Sequence, residues 1–206
     1  MKIGIVDYGL ANTRSVMNAV ECLGAHACLA SRGEDLSSVD RIILPGVGSF
    51  DAAMQALQTR GHISVLNQRV VNEHIPFLGI CLGLQLLFES SEEGVMPGLG
   101  WIKGSVCALA KSTVKVPHMG WNEIVVCREN SLFLGIDTTC DVYFVHSYYV
   151  PYEEDAAQYC VAYCDYGQRS VAALEQGSIF GVQFHPEKSQ LTGMKILENF
   201  LKGEAN

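Results

Sequence analysis

Residues 75–89 constrain the fold more than any other part of this sequence. An apolar run at 75–78 is followed by Gly-Ile-Cys-Leu-Gly at 79–83 and by Leu-Gln-Leu-Leu-Phe-Glu at 84–89. The first run is typical of a buried strand, and the last predicts the first turns of a helix. A cysteine between glycines at such a junction predicts a nucleophile elbow with Cys81 in the place of serine.

The elbow is a setting in which a cysteine becomes reactive. A thiol at a helix N-terminus lies near unpaired backbone N–H groups, which favour the thiolate. Gly79 and Gly83 are expected to allow a tight turn and a close approach of a substrate carbonyl. The alternative is that Cys81 is simply buried, as cysteines often are and as the other seven cysteines here are predicted to be.

Composition limits the partners and the compartment. The 206 residues predict a single domain, 1–206, and a hydrophobic content of 49% is enough for a sizeable core. A net charge of −8 without any basic run argues against nucleic acid or an anionic membrane as partner. The apolar N-terminal run stops at Asp7, so no signal peptide is expected, and no apolar stretch approaches the ~18 residues of a membrane span. We therefore expect a cytoplasmic protein with reduced thiols.

Metal and cofactor sites are not expected. Cys160 and Cys164 have a spacing that resembles half of a metal site, but no second close pair of cysteine or histidine accompanies them. The residues around them alternate like a strand.

Strand and helix patterns alternate through the first half of the chain. Strands are predicted at 2–7, 27–30, 41–44 and 75–78, with helices beginning near Asn12 or Thr13 and near Ser49 or Asp51. After about Pro97 short strand-like runs dominate, at 101–110, 122–127, 142–146, 158–163, 171–175 and 179–183, and a helix returns only at 194–201. These patterns predict a three-layer α/β/α fold with a mostly parallel central sheet and extra antiparallel strands from the second half.

His185 and Glu187 are the candidate partners of Cys81. They follow the apolar strand 180–184 and flank Pro186. Side chains two positions apart on extended backbone point the same way, so the carboxylate can orient the imidazole and stabilise its protonated form. The alternative is a solvated histidine at a strand end. Open α/β sheets place their sites at the carboxyl ends of strands, which favours the catalytic interpretation.

The segment Pro-Gly-Val-Gly at 45–48 is the candidate oxyanion hole. Its glycines allow backbone N–H groups at Val47 and Gly48 to face a substrate oxygen, and the N–H of Leu82 supplies the second donor. The glycines also allow the peptide at Val47 to be held the wrong way round until a partner docks. The alternative is an ordinary strand-to-helix turn.

Together the elbow at 79–85 and the run Gln-Phe-His-Pro-Glu at 183–187 resemble the two signatures of the class I (triad) glutamine amidotransferases. The resemblance covers essentially the whole chain. It implies that Cys81 attacks the side-chain amide of L-glutamine, that His185 acts as general base and acid, and that Glu187 orients His185. Ammonia and then glutamate would be released, through a glutamyl thioester, without a cofactor.

Three further segments resemble the glutaminase subunits of imidazole glycerol phosphate synthases: 7–16, 116–122 and 185–190, with support from 144–148. That resemblance implies a heterodimer with a (β/α)8-barrel cyclase subunit that receives the ammonia. The cyclase would make imidazole glycerol phosphate, for histidine synthesis, and an aminoimidazole carboxamide ribotide.

The same resemblance implies roles for individual positions. The residues expected to hold glutamine are Gly48, Gln85, Glu93, Ser147 and Tyr148. The residues expected to face the barrel subunit are Asn12, Trp121, Tyr143 and Lys188. Glu93 could equally belong to a solvated acidic turn, and Trp121 and Tyr143 could serve only in packing.

Two departures and two alternatives stay open. Ala11 stands where the family usually has glycine, and Thr13 where it usually has leucine, which makes the backbone near Asn12 uncertain. The alternative functions are the glutaminase subunit of another amidotransferase, such as pyridoxal phosphate synthase, and a non-catalytic interaction relative.

Overall fold

The computed structural model describes residues 1–203, apart from the side chain of Glu154. The strands are β1 (Lys2–Val6), β2 (His26–Ala30), β3 (Arg41–Gly46), β4 (Phe77–Cys81), β5 (Ser90–Ser91), β6 (Ser105–Ala108), β7 (His118–Val126), β8 (Thr139–His146), β9 (Tyr148–Tyr149), β10 (Cys160–Tyr166), β11 (Gln168–Gln176) and β12 (Ile179–Val182). The α-helices are α1 (Thr13–Cys22), α2 (Phe50–Thr59), α3 (His62–Leu66), α4 (Leu82–Gln85), α5 (Glu154–Ala157) and α6 (Gln190–Lys202). Short 3₁₀ turns lie at Gly33–Leu36 and Pro186–Lys188, and a π-helical turn at Asn67–Asn72.

In the described part of the chain, nine strands form one mixed sheet in the order β2-β1-β3-β4-β12-β11-β10-β7-β8. The pairs from β2 to β12 are parallel, and those from β12 to β8 are antiparallel. The edge strand β8 contacts the segment after β12, because the N–H of His185 donates to the carbonyl of Tyr143 at 2.9 Å. This curl places β8 over the carboxyl ends of the parallel strands. A small second sheet joins β5, β6 and β9.

Helices cover both faces of the large sheet, and each face has its own apolar core. Val16 and Val20 of α1 and Ile196 and Leu197 of α6 are buried in one core. The other core contains the apolar face of α2, with Phe50 fully buried. Burial of these side chains is the main stabilising contribution in a fold of this kind. The predicted three-layer α/β/α architecture with added antiparallel strands is confirmed.

The prediction of a helix over 84–89 is wrong. The helix α4 ends at Gln85, and the chain then turns toward β5. Leu86, Leu87 and Phe88 are all fully buried. A run that is apolar on every side offers no solvent face, so packing on both sides determines its path rather than helical periodicity.

Other boundaries in the second half also differ from the prediction. The strand predicted at 101–110 is confined to Ser105–Ala108, and α6 begins at Gln190 rather than at 194. The short helix α5 was not predicted, because four residues are too few to show a helical period.

The two glycines of the elbow serve close packing rather than an unusual dihedral angle. Neither has a positive φ; the positive φ falls on Cys81 itself, at 55°. An ideal Cβ on Gly79 would lie 2.6 Å from the carbonyl oxygen of Gly83, and one on Gly83 would lie 1.9 Å from that of Leu44. The glycines therefore let α4 pack against its own strand and against β3, which corrects the expectation that they provide the turn and room for substrate.

We expect Gly83→Ala to lower the free energy of unfolding by about 3 kcal/mol or more, because the new methyl group overlaps a backbone carbonyl. The melting temperature of a chain of this size should fall by roughly 6–12 °C. Gly24→Ala is a comparison variant, because nothing lies within 4 Å of its Cβ and its loss, about 1 kcal/mol, comes only from its φ of 81°. A loss in Gly83→Ala no larger than that in Gly24→Ala, measured by thermal unfolding, would contradict a costly overlap at Gly83.

No helix among residues 1–203 is long and apolar enough to cross a membrane.

Candidate active site

The three motifs meet because their strands are neighbours in the sheet. In the parallel register, Gly46 at the end of β3 lies beside Cys81 at the end of β4. Ile80 of β4 in turn pairs with Val182, the last residue of β12. Parallel strands end at the same edge of a sheet, so the oxyanion segment, the elbow and the histidine segment converge there.

Cys81 occupies a strained backbone position at this edge. Its φ of 55° and ψ of −107° are rare for any residue with a side chain. The conformation directs the thiol toward β8, where Sγ donates to the carbonyl of Val145 at 3.7 Å. The side-chain amide of Gln183 donates to the same sulfur at 3.7 Å. The elbow thus presents a buried thiol between two polar groups.

His185 and Glu187 form a buried pair beside this thiol. Nδ1 of His185 lies 2.8 Å from Oε1 of Glu187, and the side chains are 4% and 2% exposed. Burial alone lowers the pKa of His185, but hydrogen bonding and the charges of Cys81 and Glu187 outweigh it and raise the pKa to about 10. Nε2 of His185 has no hydrogen-bond partner of normal geometry among the described residues. This nitrogen is therefore free to exchange a proton with the sulfur or with a leaving group.

We expect Glu187→Gln to reduce kcat/KM for glutamine about 100- to 10,000-fold, because the amide no longer stabilises imidazolium. The same change should alter the dependence of stability on pH. The pKa of His185 is raised in the folded state, so the ion pair with Glu187 adds to the free energy of unfolding. This contribution is complete below about pH 6.5 and is lost as the pH rises toward about 10. Urea unfolding from pH 6 to 10 should show this loss in the wild type and a flatter profile in the variant. Identical profiles would contradict the ion pair.

A cavity of about 310 Å³ opens in front of Cys81, within the size range of small-ligand pockets. Every residue predicted for the oxyanion hole or for glutamine lines it: Val47, Gly48, Leu82, Gln85, Glu93, Ser147 and Tyr148. Pro117, Val145 and His146 complete the wall. The structure thus brings together, around one thiol, residues that are up to 101 positions apart in the sequence.

Glu93 is fastened to the start of α2. Its Oε2 accepts the N–H of Phe50 at 2.8 Å, whereas Ser49, the N-cap residue, makes no capping bond through its side chain. Burial raises the pKa of Glu93. Asp51 completes the connection by accepting the N–H groups of Val95 and Met96. Glu93 therefore has a structural role at the cavity, and its neighbour Glu92 has another, at the N–H of Ala108.

The peptide at Val47 faces away from the cavity. Its N–H donates to the carbonyl of Leu10, in the loop between β1 and α1, at 2.9 Å. The adjoining Gly48 has a φ of 102°, which glycine adopts without strain. One of the proposed oxyanion donors is thus engaged elsewhere in the isolated chain, in the orientation that the flanking glycines allow.

Three of the residues predicted to face a partner form one cluster. Trp121 and Tyr143 are paired across β7 and β8, with their rings 6.1 Å apart. Nζ of Lys188 lies 5.9 Å from the ring of Tyr143. Trp121 is 48% exposed, so this cluster has a solvent-facing surface.

Asn12 has a local role in addition to the one predicted. Its side chain caps α1 by accepting the N–H of Ser15 at 3.4 Å. The backbone of Ala11 does not have a positive φ, so the alanine is not strained there. Leu10, two residues before Asn12, is the partner of Val47, which connects this loop to the cavity.

Four residues at the site escaped prediction: Pro117, Val145, His146 and Gln183. Gln183 is 1% exposed and joins the sulfur to Gln85, whose Nε2 donates to Oε1 of Gln183 at 3.0 Å. The position of Gln183 two residues before His185, in the segment that follows β12, is a signal that could have indicated it. The carbonyl of Val145 has no such signal, because any residue carries one.

Comparisons with known proteins identify the family of this chain. The family model of class-I glutamine amidotransferases matches residues 4–203. The chain is 44% identical over 202 residues to "Imidazole glycerol phosphate synthase subunit HisH 1" of Campylobacter jejuni (strain RM1221), covering 97% of this chain and 99% of that relative. It is 45% identical over 205 residues to the HisH subunit of Methanosarcina acetivorans, covering 98% of each. A solved structure of PurLQS from Thermotoga maritima matches with a TM-score of 0.75 at 21% identity over 97% of both chains, which supports the fold.

The chain therefore belongs to the class I glutamine amidotransferases. Within that family it belongs with the HisH subunits of imidazole glycerol phosphate synthase. This resolves the alternatives left by the sequence in favour of the glutaminase subunit of that synthase.

Proposed function

We propose that this chain hydrolyses L-glutamine at Cys81 and delivers the ammonia to a (β/α)8-barrel cyclase subunit. The observation that carries the proposal is the buried His185–Glu187 pair beside a thiol that opens into a cavity of suitable size. A thiolate with a protonated imidazole next to it is both a nucleophile and a proton source for a leaving amine.

The reaction has two halves, which together convert glutamine and water into glutamate and ammonia. In the first, the thiolate of Cys81 attacks the side-chain amide carbon, and the C–N bond breaks as His185 gives its proton to the departing nitrogen. In the second, His185 removes a proton from water as the water oxygen attacks the thioester carbon; the C–S bond then breaks, which releases glutamate and returns the Cys81 thiolate. Glu187 keeps the proton-exchanging Nε2 directed at the reacting atoms through its bond to Nδ1.

The cavity wall supplies groups for binding glutamine. Glu93 has a second carboxylate oxygen for the substrate ammonium, and Gln85 lies one turn after Cys81. In the proposed active state the N–H groups of Val47, Gly48 and Leu82 surround the oxygen that becomes negative. The cluster of Trp121, Tyr143 and Lys188, together with Asn12, is the proposed contact with the barrel, by analogy with the HisH relatives.

The cyclase is proposed to use the ammonia to form imidazole glycerol phosphate and an aminoimidazole carboxamide ribotide. The test is glutamate release by the purified chain, alone and with the barrel subunit and its nucleotide ligand. Covalent labelling of Cys81 by 6-diazo-5-oxo-L-norleucine, followed by mass spectrometry, separates a glutaminase from a non-catalytic relative. Absence of both labelling and glutamate release in the complex would overturn the proposal.

A further inference from the structure

His118 and His146 form a buried pair that the reaction steps do not use. They lie directly opposite each other on β7 and β8, and they are 4% and 8% exposed. Nδ1 of His118 lies 3.0 Å from Nε2 of His146. His146 also lines the cavity in front of Cys81, whereas His118 lies behind it, outside the lining.

The hydrogen bonds determine which nitrogens of the pair carry protons. Nδ1 of His146 lies 2.8 Å from the carbonyl oxygen of Tyr148, which can only accept, so this nitrogen is protonated. In a neutral imidazole Nε2 then accepts, and Nδ1 of His118 must be its donor. Nε2 of His118 in turn accepts from the side-chain amide of Asn122 at 3.2 Å. Both rings are therefore neutral and protonated on Nδ1. The hydrogen bonds run in one direction, from the Asn122 amide through His118 and His146 to the Tyr148 carbonyl.

The surroundings keep both rings neutral and in place. The ring of His118 is stacked between the rings of Tyr166 and Phe144, with distances between ring centroids of 3.8 Å and 4.6 Å. Burial lowers the pKa of His118 to about 4. For His146, burial together with the neighbouring His118 and His185 lowers the pKa to about 3, against the opposing effect of the Tyr148 carbonyl. Tyr166, Cys81 and Cys164 are further titratable neighbours, and the sulfur of Cys164 accepts from the same amide of Asn122.

This series of hydrogen bonds ends at Tyr148, in the wall of the proposed glutamine cavity. The carbonyl of Tyr148 receives a second bond from Nε2 of Gln85 at 2.9 Å. The carbonyl of Ser147, next to it, accepts the N–H of Leu109. The segment 147–148 is thus fixed from inside the protein, with its position set by His146 and Gln85 together.

We propose that His118 and His146 are positioning residues that hold the Ser147–Tyr148 segment where it binds glutamine. The inference rests on the proposed function of this cavity. Neither imidazole touches the reacting atoms. His146 fixes the Tyr148 carbonyl, and His118 fixes the direction in which His146 donates.

Two substitutions of His146 test this role. His146→Leu removes the donor to Tyr148, and we expect KM for glutamine to rise about tenfold with a smaller change in kcat. His146→Asn keeps an N–H donor near the position of Nδ1, and its KM should return to within about threefold of the wild type. His62→Leu is the matched control, because His62 is also buried and bonded to a carbonyl, that of Ala30, but does not line the cavity.

Labelling of Cys81 separates a binding role from a general structural role. Labelling by 6-diazo-5-oxo-L-norleucine should slow about tenfold in His146→Leu, whereas labelling by iodoacetamide, which needs no glutamine site, should be unchanged. His118→Phe is a second variant that keeps the stack between Phe144 and Tyr166 and removes only the hydrogen bonds. We expect it to fold and to raise KM by about threefold or more.

The protonation pattern can be measured without any activity. Two-bond ¹⁵N–¹H spectra of the histidine rings should show Nδ1–H tautomers for His118 and His146 at pH 7. An Nε2–H tautomer at either residue would overturn the inference, as would an unchanged KM in His146→Leu and His118→Phe. If the wild-type complex fails to release glutamate while the tautomers are as expected, the proposed function fails and the hydrogen-bond arrangement stands.

Discussion

Cys81→Ala will release no measurable glutamate from glutamine, a loss of roughly a million-fold. The variant lacks the atom that forms the thioester, and no neighbouring side chain can replace it. His185 and Glu187 remain in place, but without the sulfur they can only assist water, which is a poor route to amide hydrolysis. Glutamate release by the complex with the barrel subunit, followed with a coupled dehydrogenase assay, is the measurement.

The control for this variant is the use of external ammonia. In the same complex, Cys81→Ala should form imidazole glycerol phosphate from ammonium salt at a rate close to that of the wild type, because the cyclase chemistry is proposed to take place on the other subunit. Loss of ammonia-dependent cyclisation would mean that the two activities are not divided between the subunits as proposed. Cys22→Ala is a matched substitution, since Cys22, contrary to the burial predicted for it, is an exposed free thiol that does not line the cavity.

The isolated chain will hydrolyse glutamine about 100- to 1,000-fold more slowly than the complex. This is the effect of removing one oxyanion donor, and here the donor at Val47 is engaged by the carbonyl of Leu10. Docking of the barrel near Asn12 would move the loop that contains Leu10 and release the peptide. Glutamate release with and without the barrel subunit and its nucleotide ligand measures the difference. Equal rates would remove the gating role of this bond.

Val47→Gly tests the same bond in the isolated chain, by making the peptide easier to turn. Glycine accepts both orientations of the peptide, and relief of about 1 kcal/mol of backbone cost corresponds to about a fivefold rise in the activity of the isolated chain. The valine side chain is 43% exposed, so little packing is lost. The variant should gain little in the complex, where the peptide is proposed to have turned already. A double variant with Cys81→Ala must be inactive, which excludes a contaminating glutaminase.

The fold could be predicted wherever local pattern and burial agree. Short apolar strands such as β1 and β3, each followed by an amphipathic helix, indicated a parallel sheet, and this is what formed. The prediction was wrong after Gln85, where the apolar run 86–88 fits a helix or a buried turn equally well. Such a run takes its shape from tertiary packing, which a single sequence does not show.

The candidate site, like the fold, could be predicted from the sequence only in part. Cys81, His185 and Glu187 could be proposed from the sequence because their chemistry requires particular side chains at particular points of a strand. The direction of the Val47 peptide could not be found, because it depends on the carbonyl of Leu10, which every residue type possesses. The proton arrangement of His118 and His146 depends on which strands are neighbours, and the sequence does not show that β7 pairs with β8.

The loop between β3 and α2 is fastened at both ends, by Leu10 at Val47 and by Glu93 at Phe50. One anchor lies beside the residues proposed to meet the barrel subunit, and the other is the carboxylate proposed to meet the substrate. Binding linkage is reciprocal, so any factor by which the barrel tightens glutamine binding is also the factor by which glutamine tightens the complex. The supply of glutamine would then govern how much of this subunit is assembled, as well as how fast it works.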